Sequence, residues 1–281
     1  MKKKWLFILL LVSSTLLLSF AYTDIRSTDI LRVSFFDVGQ GDAIFIESPG
    51  GNQVLIDGGN ADKKVLYELR KEMSVYDRFI DLVIATHPDQ DHIGGLTDVL
   101  GKYQVGAVID SGILRDTTNF KLKEKIIDEK EISRISARQG QRIFMEDDIT
   151  VDVLFPDRSL RDVDPNVSSI ILKLIYGEVS FLFTGDSPKS IEEYVLKKYG
   201  DFINVDVLKV GHHGSKTSSS ELFLGLTSPE YAVVSAGADN RYGHPHIEVL
   251  DNLKKFETKV LQTSELGTIT FLSDGTDLWL E

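Results

Sequence analysis

From residue 31 onward, apolar residues come in short runs broken by glycine, proline and charged turns, and the runs switch between strand-like and helix-like spacing. Strands are predicted over residues 31–36 and 43–46, joined by Asp37-Val38-Gly39-Gln40-Gly41-Asp42, and Gly50-Gly51-Asn52 reads as a hairpin turn into a strand over 53–56. A helix is expected over 61–73, then a short apolar strand over 81–85, a helix starting at Leu96, a strand over 105–109 and a charged, solvated helix over 119–131. Further along, strands are predicted over 151–155, 169–175 and 179–183, followed by a helix over 188–198 with proline in its first turn. A strand over 205–210, helices near 219–226 and 246–256, a strand over 231–235 and closing strands complete the pattern. Mixed hairpins and strand–helix alternation predict an α/β fold, with strand layers covered by helices on their outer faces. No linker, low-complexity tract or repeat divides residues 31–281.

The charge changes this picture little. A net charge of −12 argues against an electrostatic grip on long stretches of nucleic acid. It leaves room for a local cationic site, because bound divalent metals invert the charge of their own pocket. The absence of cysteine excludes disulfides, thiolate metal sites, cysteine nucleophiles and a lipoprotein attachment point. The amino terminus stands apart: Lys2-Lys3-Lys4 precede an apolar run from Trp5 to Tyr22, and Ser19-Phe20-Ala21 offers small residues for cleavage after Ala21. The run is also long enough to span a bilayer uncleaved. Residues 1–25 are therefore expected to be a signal peptide or an amino-terminal membrane anchor, with the rest secreted or on the outer face of the cytoplasmic membrane.

Candidate chemistry is concentrated in the histidines. All 6 fall in three clusters: His87 and His92 in Thr86-His87-Pro88-Asp89-Gln90-Asp91-His92, the pair His212-His213, and His244-Pro245-His246. Histidine interleaved with carboxylate is a ligand set used by zinc, manganese and iron. His87, Asp186 and His212 each lie just past a predicted buried strand, where loops are held rigidly. If the first cluster is extended, alternate side chains put His87, Asp89 and Asp91 on one side, with His92 at the turn. Two metals roughly 3.5–4 Å apart can share such a set, and Asp186 is the natural bridging carboxylate.

These motifs resemble those of the metallo-β-lactamase superfamily, whose signature is His-x-His-x-Asp-His. They are closer still to the hydrolase domain of ComEC-type competence (DNA-uptake) proteins, which shares Asp37-Val38-Gly39-Gln40-Gly41-Asp42, Leu55-Ile56-Asp57-Gly58-Gly59, His87-Pro88-Asp89-x-Asp91-His92, Thr184-Gly185-Asp186, Gly211-His212-His213-Gly214-Ser215 and Tyr242-Gly243-His244-Pro245. The resemblance covers residues 31–281 and implies a four-layer αββα sandwich, the metallo-β-lactamase fold, with a hydrolytic metal centre along one edge. It implies that His87 and Asp89 bind one metal, Asp91 and His92 the other, and that Asp186 bridges. His212 or His213 would complete the ligand set of the second metal, with His212 favoured because it comes first after the strand. Two departures stand out. Asp89 replaces a histidine common in the superfamily, and no histidine lies between residues 93 and 211, so a separate third histidine ligand is missing. An oxygen-rich first position favours zinc or manganese over a strictly two-zinc centre. ComEC itself carries many membrane-spanning segments, so the chain resembles the detached hydrolase domain.

Asp91 or Asp89 is expected to orient the attacking water, and His244 to contact substrate or protonate a leaving group, with packing of its loop an equal alternative. Asp57 is expected to support the metal loop by hydrogen bonds rather than bind metal. Asp37 and Asp42 belong to a turn abutting the site, Asp42 as a hydrogen-bond partner. Ser218 and Glu221 match a capping box, and Ser215 and Ser218 offer hydroxyls to a phosphate at a helix amino terminus. His246 is expected only to start a helix, and Lys216 to be solvated. The expected function is an exported, metal-dependent hydrolase of phosphodiesters, DNA being one candidate substrate. The alternatives are a phosphoesterase acting on small or cell-wall molecules, like the phosphorylcholine esterases, and a non-enzymatic DNA-binding or surface accessory protein. No protein partner is inferable.

Overall fold

The computed structural model describes residues 29–160 and 163–281, together with Trp5, Val12 and Ser13. Apart from those three residues, the expected signal peptide or anchor lies outside the described residues. Among the described residues, no helix is long and apolar enough to cross a membrane.

The strands are β1 (Leu31–Phe35), β2 (Ile44–Glu47), β3 (Gln53–Ile56), β4 (Phe79–Ala85), β5 (Gln104–Asp110), β6 (Ser133–Ser136), β7 (Arg142–Phe144), β8 (Ile149–Phe155), β9 (Ile171–Tyr176), β10 (Val179–Phe183), β11 (Val207–Lys209), β12 (Tyr231–Val234), β13 (Lys259–Gln262), β14 (Ile269–Ser273) and β15 (Leu278–Leu280). They form two mixed sheets, one ordered β15-β14-β1-β2-β3-β4-β5-β6 and the other β13-β12-β11-β10-β9-β8-β7.

Side-chain alternation explains the layering. In β4, Leu82 and Ile84 point into the core between the sheets, while Val83 and Ala85 point outward beneath helices. In β10, Val179, Phe181 and Phe183 enter the inter-sheet core and Leu182 faces the opposite helical layer. Helices Lys64–Glu72, Leu96–Lys102 and Thr118–Glu129 cover the first sheet through Val65, Leu69, Leu96, Leu100, Phe120 and Ile127. Helices Lys189–Tyr199, Glu221–Thr227 and Ile247–Lys255 cover the second through Val195, Phe223, Leu224, Val249 and Leu253. The result is the four-layer αββα sandwich.

The helix Thr118–Glu129 is not wholly solvated, because Phe120, Lys123 and Ile127 share a buried face. Pro188 is the residue just before its helix rather than part of the first turn. The first histidine cluster is not extended throughout. Asp89 precedes a helical turn, Gln90–Ile93, and its carbonyl accepts from His92 N at 3.1 Å and Ile93 N at 2.9 Å.

Candidate metal centre

Strands β4, β10 and β11 bring the site together. β10 and β11 run parallel, with Phe183 opposite Lys209. Ile170 N donates to Thr86 O at 3.1 Å, tying a residue just before β9 to the end of β4 in the other sheet. The segments following β4, β10 and β11 thus converge on one edge, at the seam between the sheets. The turn ahead of β2 closes tightly over this edge: a Cβ on Gly41, at φ +120°, would lie 2.0 Å from Asp91 O. Only glycine lets the backbone pass there.

Each histidine of the first two clusters has its Nδ1 engaged. His92 Nδ1 donates to Asp57 Oδ2 at 2.7 Å, and His213 Nδ1 donates to Ser235 O at 2.9 Å with Asp42 Oδ1 at 3.2 Å. Thr86 Oγ1 gives its hydrogen to Asp57 at 2.6 Å and so accepts from His87 Nδ1 at 3.0 Å. His212 Nδ1 lies 3.1 Å from Thr217 Oγ1, which also touches Ser215 Oγ at 3.0 Å. In the neutral rings of His87, His92 and His213, an Nδ1 that donates leaves Nε2 with a free lone pair, the arrangement used by metal-binding histidines.

The four Nε2 atoms converge on Asp186. His92 lies 3.3 Å from Oδ1, while His87, His212 and His213 lie 3.9, 3.5 and 3.5 Å from Oδ2. His213 Nε2 is also 3.4 Å from Asp91 Oδ2, and His87 Nε2 is 3.9 Å from Asp89 Oδ2. Two atoms each about 2.1 Å from a shared ion sit roughly 3–3.5 Å apart. The separations match a ligand set better than a hydrogen-bond network. His87, His92 and His213 Nε2 and Asp186 Oδ1 are buried without a hydrogen-bond partner, a cost an ion would remove. These residues fit divalent metal.

The electrostatics agree. Burial, then His92, pushes the His87 pKa down to about 3, which keeps it neutral. Burial also opposes charge on His92 and His213, yet Asp186 with Asp57 raises His92 well above its ordinary value, and Asp186 with Asp42 raises His213 to about 9. Without metal, protons supply the positive charge that the carboxylates attract.

Asp42, His92, Asp186 and His213 offer ligand-type atoms within 4.8 Å of one another. Asp42 is nevertheless a poor ligand. Its Oδ1 lies 2.8 Å from Lys209 Nζ, and both side chains are buried, so an ion there would face an ammonium. Burial opposes its charge, but Lys209 and His213 outweigh it and hold its carboxyl below the ordinary range. Asp42 instead steadies His213. Asp57, fully buried, does the same for His92 and also accepts from Thr86 N at 2.8 Å.

Other candidates sit differently. His213, not the favoured His212, is the buried partner of Asp91, because both residues adopt left-handed dihedrals that turn the second ring inward. The Asp37 carboxylate accepts from Gly39 N at 3.1 Å and shapes the turn, and the structure does not bring it into the cluster. The expected capping box is displaced: Ser220 caps Glu221–Thr227 by accepting from Phe223 N at 3.3 Å, while buried Ser218 donates to Ser187 O at 2.7 Å. The expected phosphate cradle is also filled, since the Glu192 carboxylate accepts from Ser219 N and from Ser220 N. His246 precedes Ile247–Lys255.

His244 lines a cleft of about 200 Å³ with Gln40, Asp89, Asp91, Asp186, His212, His213 and Tyr242. Its backbone N donates to Asn240 Oδ1 at 2.9 Å and its carbonyl accepts from Asn240 Nδ2 at 2.6 Å. Burial and the neighbouring His213 and His212 lower its pKa to about 4, which favours substrate contact over proton donation at neutral pH. Sequence reasoning missed Lys209, Thr86, Gln40 and Asn240. The one available signal was Lys209, a lysine inside an apolar strand.

An αββα sandwich that gathers histidines and carboxylates at paired strand ends defines a metal-binding protein of the metallohydrolase class. Residues 36–238 match the Metallo-beta-lactamase superfamily, and the chain belongs to that superfamily. It is 33% identical over 264 residues to ComE operon protein 3 of Bacillus subtilis (strain 168), covering 85% of this chain and 33% of that protein. It is 30% identical over 239 residues to Competence protein ComA of Neisseria gonorrhoeae, covering 85% of this chain and 32% of that protein. The chain therefore spans about a third of the length of these relatives, which are the competence proteins its motifs resemble. Among solved structures, the metallo hydrolase Igni18 of Ignicoccus hospitalis superposes with a TM-score of 0.54 at 16% identity, covering 86% of this chain and 98% of that one. CmlA, a diiron beta-hydroxylase from Streptomyces venezuelae, gives 0.54 at 15% identity, covering 87% and 54%. These likenesses are of fold.

Proposed function

We propose that this chain is an exported, metal-dependent phosphodiesterase that uses two divalent ions, zinc or manganese, and acts on DNA or a related phosphodiester. The observation that carries the reading is the convergence of four histidine Nε2 atoms on Asp186 beside an open cleft. Ions held there would acidify a water and polarise a phosphoryl oxygen. Asp91, a quarter exposed and held by His213, faces the cleft and would orient the attacking water. The relatives named for competence support a DNA substrate.

Two features weigh against the alternatives. Structural metal sites are closed, whereas Asp89 and Asp91 line open space here, which favours turnover over a purely structural role. A phosphorylcholine site would need free aromatic faces for its quaternary ammonium. The Arg241 guanidinium lies 4.9 Å from the ring centre of Tyr242, the aromatic side chain lining the cleft, and would repel that cation.

Metal analysis joined to parallel assays on plasmid DNA, bis(p-nitrophenyl) phosphate and p-nitrophenylphosphorylcholine tests the reading. Expected are bound divalent metal, loss of activity on chelation, recovery with zinc or manganese, and an inactive Asp91→Ala. Purified protein that binds no metal would sink it. Turnover of the choline ester alone would replace it with the small-molecule alternative. Export is tested by amino-terminal sequencing of the protein from medium and membrane fractions.

A further inference from the structure

With no histidine between residues 93 and 211, the position held by His87 and Asp89 lacks the separate third histidine of its superfamily. The backbone around the histidine pair is unusual. His212 (φ 50°, ψ 46°) and His213 (φ 56°, ψ 24°) are successive left-handed residues, neither of them glycine. Such strain persists where the surroundings over-determine it, and it clusters at functional sites. Here it brings both rings to one oxygen: each Nε2 lies 3.5 Å from Asp186 Oδ2.

From that oxygen the rings diverge, with planes 71° apart and centroids 6.1 Å apart. His213 turns inward to Asp91 and stands 5.2 Å, ring to ring, from His92. His212 stays at the cleft surface, where Asp89 also lies, and approaches the oxygen that His87 Nε2 faces at 3.9 Å. Thr217 and, through it, Ser215 hold its Nδ1 side.

We infer that the histidine doublet is divided between two metal positions. His213 serves the one with Asp91 and His92, His212 serves the one with His87 and Asp89, and Asp186 is shared. His212 thus takes the place of the missing distant histidine, at the cost of two strained residues. This division rests on the two-metal reading above.

The test is manganese loading, read by metal content after dialysis, by titration affinity and by the magnetic coupling of paired Mn(II) ions in electron paramagnetic resonance. Wild type is expected to hold two ions per chain with a coupled signal. His212→Asn, chosen because asparagine tolerates left-handed dihedrals, is expected to keep one tight ion, to bind the other at least tenfold more weakly and to lose the coupling. Thr217→Val, which frees the ring without removing it, is expected to weaken the same single ion and serves if His212→Asn fails to fold. Two ions, unchanged affinities and a coupled signal in a folded variant would overturn the division. A wild type that binds no manganese or zinc would instead overturn the two-metal reading itself.

Discussion

Asp57 shows how much of the site depends on residues that touch no metal. Held at φ 58°, it accepts from Thr86 N, Thr86 Oγ1 and His92 Nδ1 at 2.8, 2.6 and 2.7 Å. Asp57→Asn puts an amide hydrogen where one of these donors needs an acceptor, so His92 loses its tautomer or its orientation. Metal affinity should fall about 10- to 100-fold, measured by competition with a chromophoric chelator. His213 and His92, both raised by the carboxylates around them, set the pH dependence. The raised pKa of His213, about 9, means that its metal-free ring is protonated at neutral pH, and a metal taking Nε2 must displace that proton. Affinity should therefore keep rising with pH towards about 9, instead of levelling off near an ordinary histidine's value. Calorimetry at neutral pH in two buffers of different ionisation enthalpy would show the release of protons, and identical heats would contradict it. The clusters and Asp186 were legible because ligand chemistry stood at the ends of apolar strands. The inward turn of His213 was not, since two left-handed residues in a row reverse the directions that chain order suggests. Lys209 was hidden for a different reason: a lysine in a strand ordinarily points to solvent.

At the scale of elements, buried strands and amphipathic helices were read almost to their ends, because their apolar periods are imposed by the layers they fill. β6 and β7 were invisible: Ser133–Ser136 is exposed throughout and Arg142–Phe144 nearly so, leaving pairing without burial and hence without pattern. The helix Glu221–Thr227 began three residues after the predicted cap because Ser218 and Ser220 have different partners. Ser218 reaches back to the Asp186 loop through Ser187 O, and Glu192 occupies Ser219 N and Ser220 N, so capping falls to the next free hydroxyl. Ser220→Ala should accordingly destabilise the protein by about 0.5–2 kcal/mol in urea unfolding, through loss of a cap. It should leave manganese affinity within a factor of two, whereas Ser218→Ala, which releases the loop carrying Asp186, should weaken it. Equal effects of the two substitutions on metal binding would refute the assignment of separate roles.

Across the whole molecule, the site is a clamp between the sheets. His87, Asp89, Asp91 and His92 follow β4 in one sheet, while Asp186, His212 and His213 follow β10 and β11 in the other. A metal shared between them would bind the folded protein and not the unfolded chain, and so would add stability that grows with the logarithm of its concentration, about 2.7 kcal/mol at 100 times its Kd. Chelation should lower Tm by several degrees, since 1 kcal/mol corresponds to roughly 2–4 °C in a chain of this size class. A second clamp needs no metal: Lys209 from β11 meets Asp42 from the turn before β2, both buried, at 2.8 Å. Removing one member strands the other charge, so Lys209→Met should cost roughly 3–5 kcal/mol with or without chelator. Because Lys209 and His213 hold the Asp42 carboxyl below its ordinary range, its contribution is fully present above the ordinary value of 3.8 and is lost as pH falls from there through about 2. Asp42→Asn should therefore flatten the acid limb of the metal-free stability profile while leaving Lys209 stranded. Urea unfolding of wild type and both variants, with and without chelator and from about pH 2 to about pH 7, separates the two clamps. A Lys209→Met penalty that disappears on chelation would mean that the ion pair acts through the metal position and is no independent tie between the sheets.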